Sequence, residues 1–135
     1  MTLIDSFVKM LEDKGYGISG QNIFKWQLPS TLKVDTDVLW IIPSGGTPIQ
    51  RNKTGELIKS YNFMIYYRNK SARKVAQVMD ELETLLNCGA QCVNLEGFET
   101  IEISATTLPS DQDRNAEDTM VGMINCQINT YTNCK

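Results

Sequence analysis

The chain contains no histidine. That removes the commonest general base and the commonest zinc ligand, and it leaves any nucleophilic serine or cysteine without its usual partner. Cationic residues are not in excess either: 13 Lys and Arg stand against 16 Asp and Glu, a net charge of −3. Wrapping a nucleic acid needs clustered Lys and Arg, so the balance disfavours gripping DNA but allows DNA to pass nearby. No apolar run approaches the ~20 residues of a membrane span, so no membrane is expected as a partner. The opening MTLIDSFVKMLEDKG has no basic leader and sets Asp5 among its apolar residues, which reads against a secretory signal and for an intracellular setting. Cysteines are few and badly spaced for a metal. Cys88, Cys92, Cys126 and Cys134 read C-x3-C, a gap of 33 residues, then C-x7-C, where a four-cysteine zinc site shows two tight pairs. They are expected as reduced thiols, Cys126 in a strand core and the others at a helix end and a tail. No metal and no cofactor are expected.

What is present is an ordinary globular composition. Hydrophobic residues make up 41% of 135, enough for one domain, 1–135, and too little chain for two. Thr2 can cap a helix running to about Lys14, with Leu3, Ile4, Phe7, Val8, Met10 and Leu11 on a broad apolar face and Gly15 and Gly17 ending it. NIFKWQLPS reads as a short strand stopping at Pro29, and VLWIIP as a strand covered on both sides. KSYNFMIYYRN alternates: Tyr61, Phe63, Ile65 and Tyr67 share one face. Ser71 caps a second helix whose Val75, Val78, Met79, Leu82, Leu85 and Leu86 follow helical spacing up to Gly89. FETIEISATTLP and TMVGMINCQINTYT supply two more strands. The order α-β-β-β-α-β-β predicts an α+β fold: a mostly antiparallel sheet with both amphipathic helices packed on one face.

Two stretches invite a chemical reading. PSGGTPIQRNKTGE, Pro43 to Glu56, carries paired glycines, Arg51 and a Lys53-Thr54 dipeptide, and superficially resembles a phosphate loop. A phosphate loop needs glycine directly before the lysine and a helix after it; here Asn52 precedes Lys53 and a strand follows. DQDRNAED, Asp111 to Asp118, starts like a calcium loop with Asp111, Asp113 and Asn115. Ala116 then replaces the turn glycine, and Gly122 occupies the place of the bidentate glutamate. The two long loops, Pro43–Glu56 and Leu108–Asp118, exceed what a hairpin needs. One holds Arg51 and Lys53, the other Asp111, Asp113, Glu117 and Asp118. Opposite charge on two loops suits docking between unlike surfaces, the arrangement of a head-to-tail ring. The bland reading is that both loops are simply solvated.

The leading amphipathic helix, the PSGGTP turn, YNFMIYYRN ending in Arg68, SARKVAQVMDELETLL and LPSDQDRNAED before a last strand together resemble the tail terminator and minor capsid proteins of long-tailed bacteriophages. The likeness extends over nearly the whole length. It implies a structural virion protein rather than an enzyme: an α+β subunit of a hexameric ring that caps the tail tube, stops its polymerisation and offers the head-joining surface. Partners would be further copies, the tail tube protein and a head-completion or connector protein, with DNA passing through the hole without sequence-specific binding. The location would be the head–tail interface of the virion, and the host cytoplasm during assembly. The residues placed at interfaces are Gly45, Gly46, Gln50, Arg51 and Lys53 on one loop and Asp111, Asp113, Arg114, Glu117 and Asp118 on the other. Two alternatives stay open. A head-completion or neck protein of the same virion would be more helical, and a ferredoxin-like small-molecule regulatory module would show a defined pocket.

Overall fold

In a computed structural model, residues 2–26, 37–51, 56–88, 93, 95, 99–105, 110–112 and 120–133 are described. The first helix, α1 (Leu3–Asp13), begins at a capping box. The Asp5 N–H donates to Thr2 Oγ1 (3.3 Å) and the Thr2 N–H donates to Asp5 Oδ2 (3.2 Å), satisfying two donors that the helix start would leave orphaned. Its end is equally specified. Gly15 takes φ +88°, which lets its N–H reach Glu12 O and the Tyr16 N–H reach Leu11 O, each at 3.0 Å. Between these caps every residue expected on the apolar face is buried.

The sheet starts with β1 (Ile23–Lys25), shorter than the sequence suggested. It ends at Trp26, which adopts φ +74°, a left-handed conformation that strains a non-glycine residue by ~1–3 kcal/mol. β1 pairs parallel with β2 (Val38–Arg51). β2 then runs antiparallel to β3 (Glu56–Asn69), which pairs along its full length with β6 (Met120–Asn133). β4 (Glu99–Ala105) and the short β5 (Ser110–Gln112) both pair antiparallel with β6. The strand order is β1-β2-β3-β6-β4, so the fold is α+β with a mostly antiparallel sheet, one parallel pair at its edge. In β4 the expected alternation breaks once: Thr100 and Glu102 face consecutive residues Thr130 and Asn129, leaving Ile101 in a bulge.

Both helices cover the same face. Phe7 of α1 stacks on Phe63 of β3 with ring centroids 5.8 Å apart. The second helix, α2 (Ala72–Cys88), is capped by Ser71, whose Oγ accepts from the Lys74 N–H (3.3 Å), and lies over Gly122 of β6. Phe63, Ile65 and Tyr67 share that face with Gly122, Ile124, Cys126 and Ile128, and all are buried. On the other face Trp40 stacks on its ladder partner Tyr66 (5.0 Å, 9°) and stays half-buried with Ile42. VLWIIP is thus sealed at Val38, Leu39 and Ile41 but covered only in part elsewhere.

One ion pair ties α1 to β1. The Lys25 ammonium donates to the Asp5 carboxylate, and with help from Thr2 it holds that acid down from 3.8 to about 2. The folded pKa is depressed, so the contribution is complete above the ordinary carboxylate value and is lost as pH falls through the folded one. Wild type and Asp5→Asn are therefore expected to differ in urea midpoint at pH 6 and to converge between about pH 4 and pH 2. A difference that stays constant across that window would show that the pair does not contribute.

Candidate functional site

The segment Pro43–Glu56 is a β-hairpin, not an open loop. β2 continues through it to Arg51, and only residues 52–55 separate the strands. The prolines and glycines that read as a loop are absorbed in two register shifts, Pro43/Gly46 and Pro48/Gln50. Gly45 sits in the first, exposed and at φ +104°, with nothing within 4 Å of where a Cβ would stand. It serves backbone conformation rather than close packing. Gly46 pairs with Tyr61, Gln50 with Ile58 and Arg51 with Leu57; Lys53 lies outside the described residues. A strand, β3, follows this segment, so the strand–loop–helix order of a phosphate loop is not formed here.

The second stretch also departs from a plain loop. Ser110–Gln112 forms β5, and Asp111 pairs with Gly122; Asp113, Arg114, Glu117 and Asp118 lie outside the described residues. Gly122 explains itself here. A Cβ at this position would stand 2.7 Å from Met79 Cγ and 2.8 Å from Val75 Cγ1, so glycine is what lets α2 rest on the sheet.

The ladder fixes how these two segments stand to each other. Asp111 lies beside Gly122, at the start of β6; Arg51 lies beside Leu57, whose partner Thr132 is at its end. The ten residue steps from Gly122 to Thr132 span roughly 33 Å at ~3.3 Å each. Arg51 and Asp111 therefore occupy opposite ends of the sheet, several Debye lengths apart, and do not neutralise one another within one subunit.

Chemically the described side chains are quiet. Cys126 is fully buried in β6 and desolvation pushes its thiol up to about 12. Burial raises Tyr67 above the ordinary phenol value, and burial with the nearby Glu81 does the same to Tyr16. None of the three is a base or nucleophile at neutral pH. Cys88 corrects an expectation: it is disulfide-bonded rather than reduced, to a partner outside the described residues. A disulfide needs Cβ atoms ~4 Å apart, a geometry that sequence spacing alone does not reveal. Among the described residues no three His, Cys, Asp or Glu side chains gather where a cation could sit. Two of the clefts among the described residues reach β3. One of about 410 Å³ lies between the first turn of α1 and the sheet, lined by Leu3, Ile4, Trp26, Pro43, Tyr61 and Phe63. Another of about 220 Å³ is more polar, with Lys14, Tyr16, Tyr67, Lys74 and Glu81. Trp26 is the feature that sequence reading missed: placed in the interior of an expected strand, it is 60% exposed at the mouth of the first cleft. The chain matches no model of a known protein family and no curated protein sequence.

Proposed function

We propose that the chain is a tail terminator of a long-tailed bacteriophage, a structural virion protein without catalytic activity. Its ring, hexameric by that resemblance, caps the tail tube, stops polymerisation and receives a head-completion or connector protein. The observation that carries this reading is the placement of Arg51 and Asp111 at opposite ends of one sheet. A subunit that meets two different partners, or unlike surfaces of its neighbours, needs two separate and dissimilar ends. The architecture favours it over a neck protein of the more helical kind, because among the described residues helices of 11 and 17 residues accompany six strands. A net charge of −3 suits a hole that lets DNA through without holding it.

Charge alone does not hold such a ring, since exposed pairs contribute ~0–1 kcal/mol and are screened by salt. Apolar contacts supply most of the affinity and the charged ends tune register and partner choice. Arg51→Glu with Lys53→Glu is therefore expected to weaken capping or head joining while the circular dichroism and melting of the subunit stay unchanged. Electron microscopy of tails assembled with and without the protein is the direct test. Overlong tails that fail to join heads in its absence support the role; tails of normal length that still join heads rule it out.

A further inference from the structure

The polar cleft of about 220 Å³ lies where the end of α1, the end of β3 and α2 converge. Its most buried polar side chain is Tyr67, 8% exposed. Hydrogen bonds fix what that phenol has left to offer. The Ser71 N–H donates to Asn69 Oδ1 (2.9 Å), so the amide nitrogen of Asn69 is turned to Tyr67 and donates to its oxygen (2.9 Å). The phenol oxygen is thereby an acceptor, and its own proton has no acceptor among the described residues. A buried donor left unmade is costly unless a group in the cleft accepts from it.

The other polar groups around the cleft are mostly charged. Lys74, Val78 and Glu81 share one face of α2, the lysine and the glutamate two turns and ~10 Å apart with Val78 between them. Lys14 and Tyr16 approach from just beyond α1, where Gly15, at φ +88°, leaves nothing within 4 Å of where a Cβ would stand. Among the described residues neither lysine is ion-paired, and Glu81 accepts from the neutral Gln77 amide (3.3 Å). Asp37 acts on Tyr67 from outside the cleft, so Lys14 and Lys74 stand against Glu81 and Asp37 and the surroundings carry no net charge. Burial first, and these carboxylates second, raise both phenols above their ordinary value, which keeps their protons in place as donors.

This arrangement selects a ligand. A lone anion meets Glu81 and a lone cation meets two lysines, whereas a molecule with both charges suits both ends. Size narrows the choice. A cavity of about 150 Å³ holds one benzene, so 220 Å³ has room for roughly nine heavy atoms, a molecule the size of valine. We propose that the cleft binds a small zwitterion of the amino-acid class. Its carboxylate accepts from Lys74, Lys14 and the Tyr67 hydroxyl, its ammonium faces Glu81, and a short apolar side chain lies on Val78. The cleft keeps this chemistry whether or not the chain is a tail terminator.

Titration of the isotope-labelled protein with L-alanine and L-valine, followed by amide chemical shifts, is the test. Saturable shifts at Gly15, Tyr16, Lys74 and Val78 are expected, with a dissociation constant of about 1 mM or lower. No saturation by about 10 mM with either amino acid overturns the proposal. Acetate and isobutylamine each carry one of the two charges and are expected to bind at least about tenfold more weakly than L-valine. Acetate binding equal to that of L-valine means an adventitious ion only and also overturns it. Glu81→Gln separates the two ends: it should weaken L-valine about fivefold and leave acetate no weaker. Lys74→Gln should weaken both by about as much, and Arg73→Gln, one residue away but outside the cleft, should change neither by more than about twofold. Equal losses in all three variants overturn the placement of the ligand. Tyr67→Phe should weaken L-valine about tenfold. Lys74 is exposed, so Lys74→Gln decides where the Tyr67 variant does not fold, and unchanged L-valine binding there overturns the proposal.

Discussion

Leu82→Ala is expected to lower the unfolding free energy by about 2–5 kcal/mol. Leu82 is fully buried at the centre of α2, one turn from Val78 and Met79 on one side and from Leu86 on the other. Alanine is the better helix former, so the loss cannot come from helix propensity and must come from packing. The substitution removes roughly three methylene-sized groups at ~0.8 kcal/mol each, and the hole left behind adds to that, because a six-stranded sheet beneath the helix closes only partly. Against a typical total of 5–15 kcal/mol this is a large share. Urea unfolding should show a lower midpoint with an unchanged slope. Gln77→Ala is the control: Gln77 is exposed and its side chain bonds the exposed Glu81 at 3.3 Å, so it should stay within about 0.5 kcal/mol of wild type. Equal effects at the two positions would mean that α2 does not bury the face assigned to it.

Gly122→Val is expected to destabilise by about 1–3 kcal/mol, with Gly122→Ala smaller but of the same sign. Intrinsic preference argues the opposite, since valine suits a strand far better than glycine. Contact distances decide the sign. A Cβ already falls 2.7 Å from Met79 Cγ and 2.8 Å from Val75 Cγ1. Met79 can swing its end aside, but Val75 is short, β-branched and fully buried, so α2 itself must lift. Gly122 is not among the residues at positive φ, so backbone strain does not contribute. A double-mutant cycle separates this account from a general intolerance of substitution. Met79→Ala in the Gly122→Ala background should cost less than Met79→Ala alone, because the cavity and the intruding methyl offset each other. Strict additivity of the two changes would place α2 away from Gly122.

The helices were legible because their information is local. Thr2 with Asp5, Gly15 after Asp13, Ser71 before Ala72 and the spacing of Val75, Val78, Met79, Leu82 and Leu86 each specify backbone or burial within one or two turns. The alternation of Tyr61 to Tyr67 fixed the buried face of β3 for the same reason. The candidate site was legible only as composition. Arg51 and the acidic run beginning at Asp111 stand out in the sequence, but their separation along the sheet is a property of the β2–β3–β6 register.

By itself, then, the sequence determined the two helices, their apolar faces, the order of elements along the chain that makes the fold α+β, and the absence of imidazole chemistry. Tertiary structure alone decided the rest. Pro43, Gly45, Gly46 and Pro48 carry loop signals, yet β3 offers an unbroken ladder, and a proline whose nitrogen faces outward leaves every bond to β3 intact. Gly122 looks like a missing ligand until α2 is seen to rest on it. Cys88 looks like a free thiol until the fold brings another cysteine to it. For the prolines and for Gly122, the residue's meaning depends on a neighbour distant in the chain, and local propensity carries no information about which neighbour that will be.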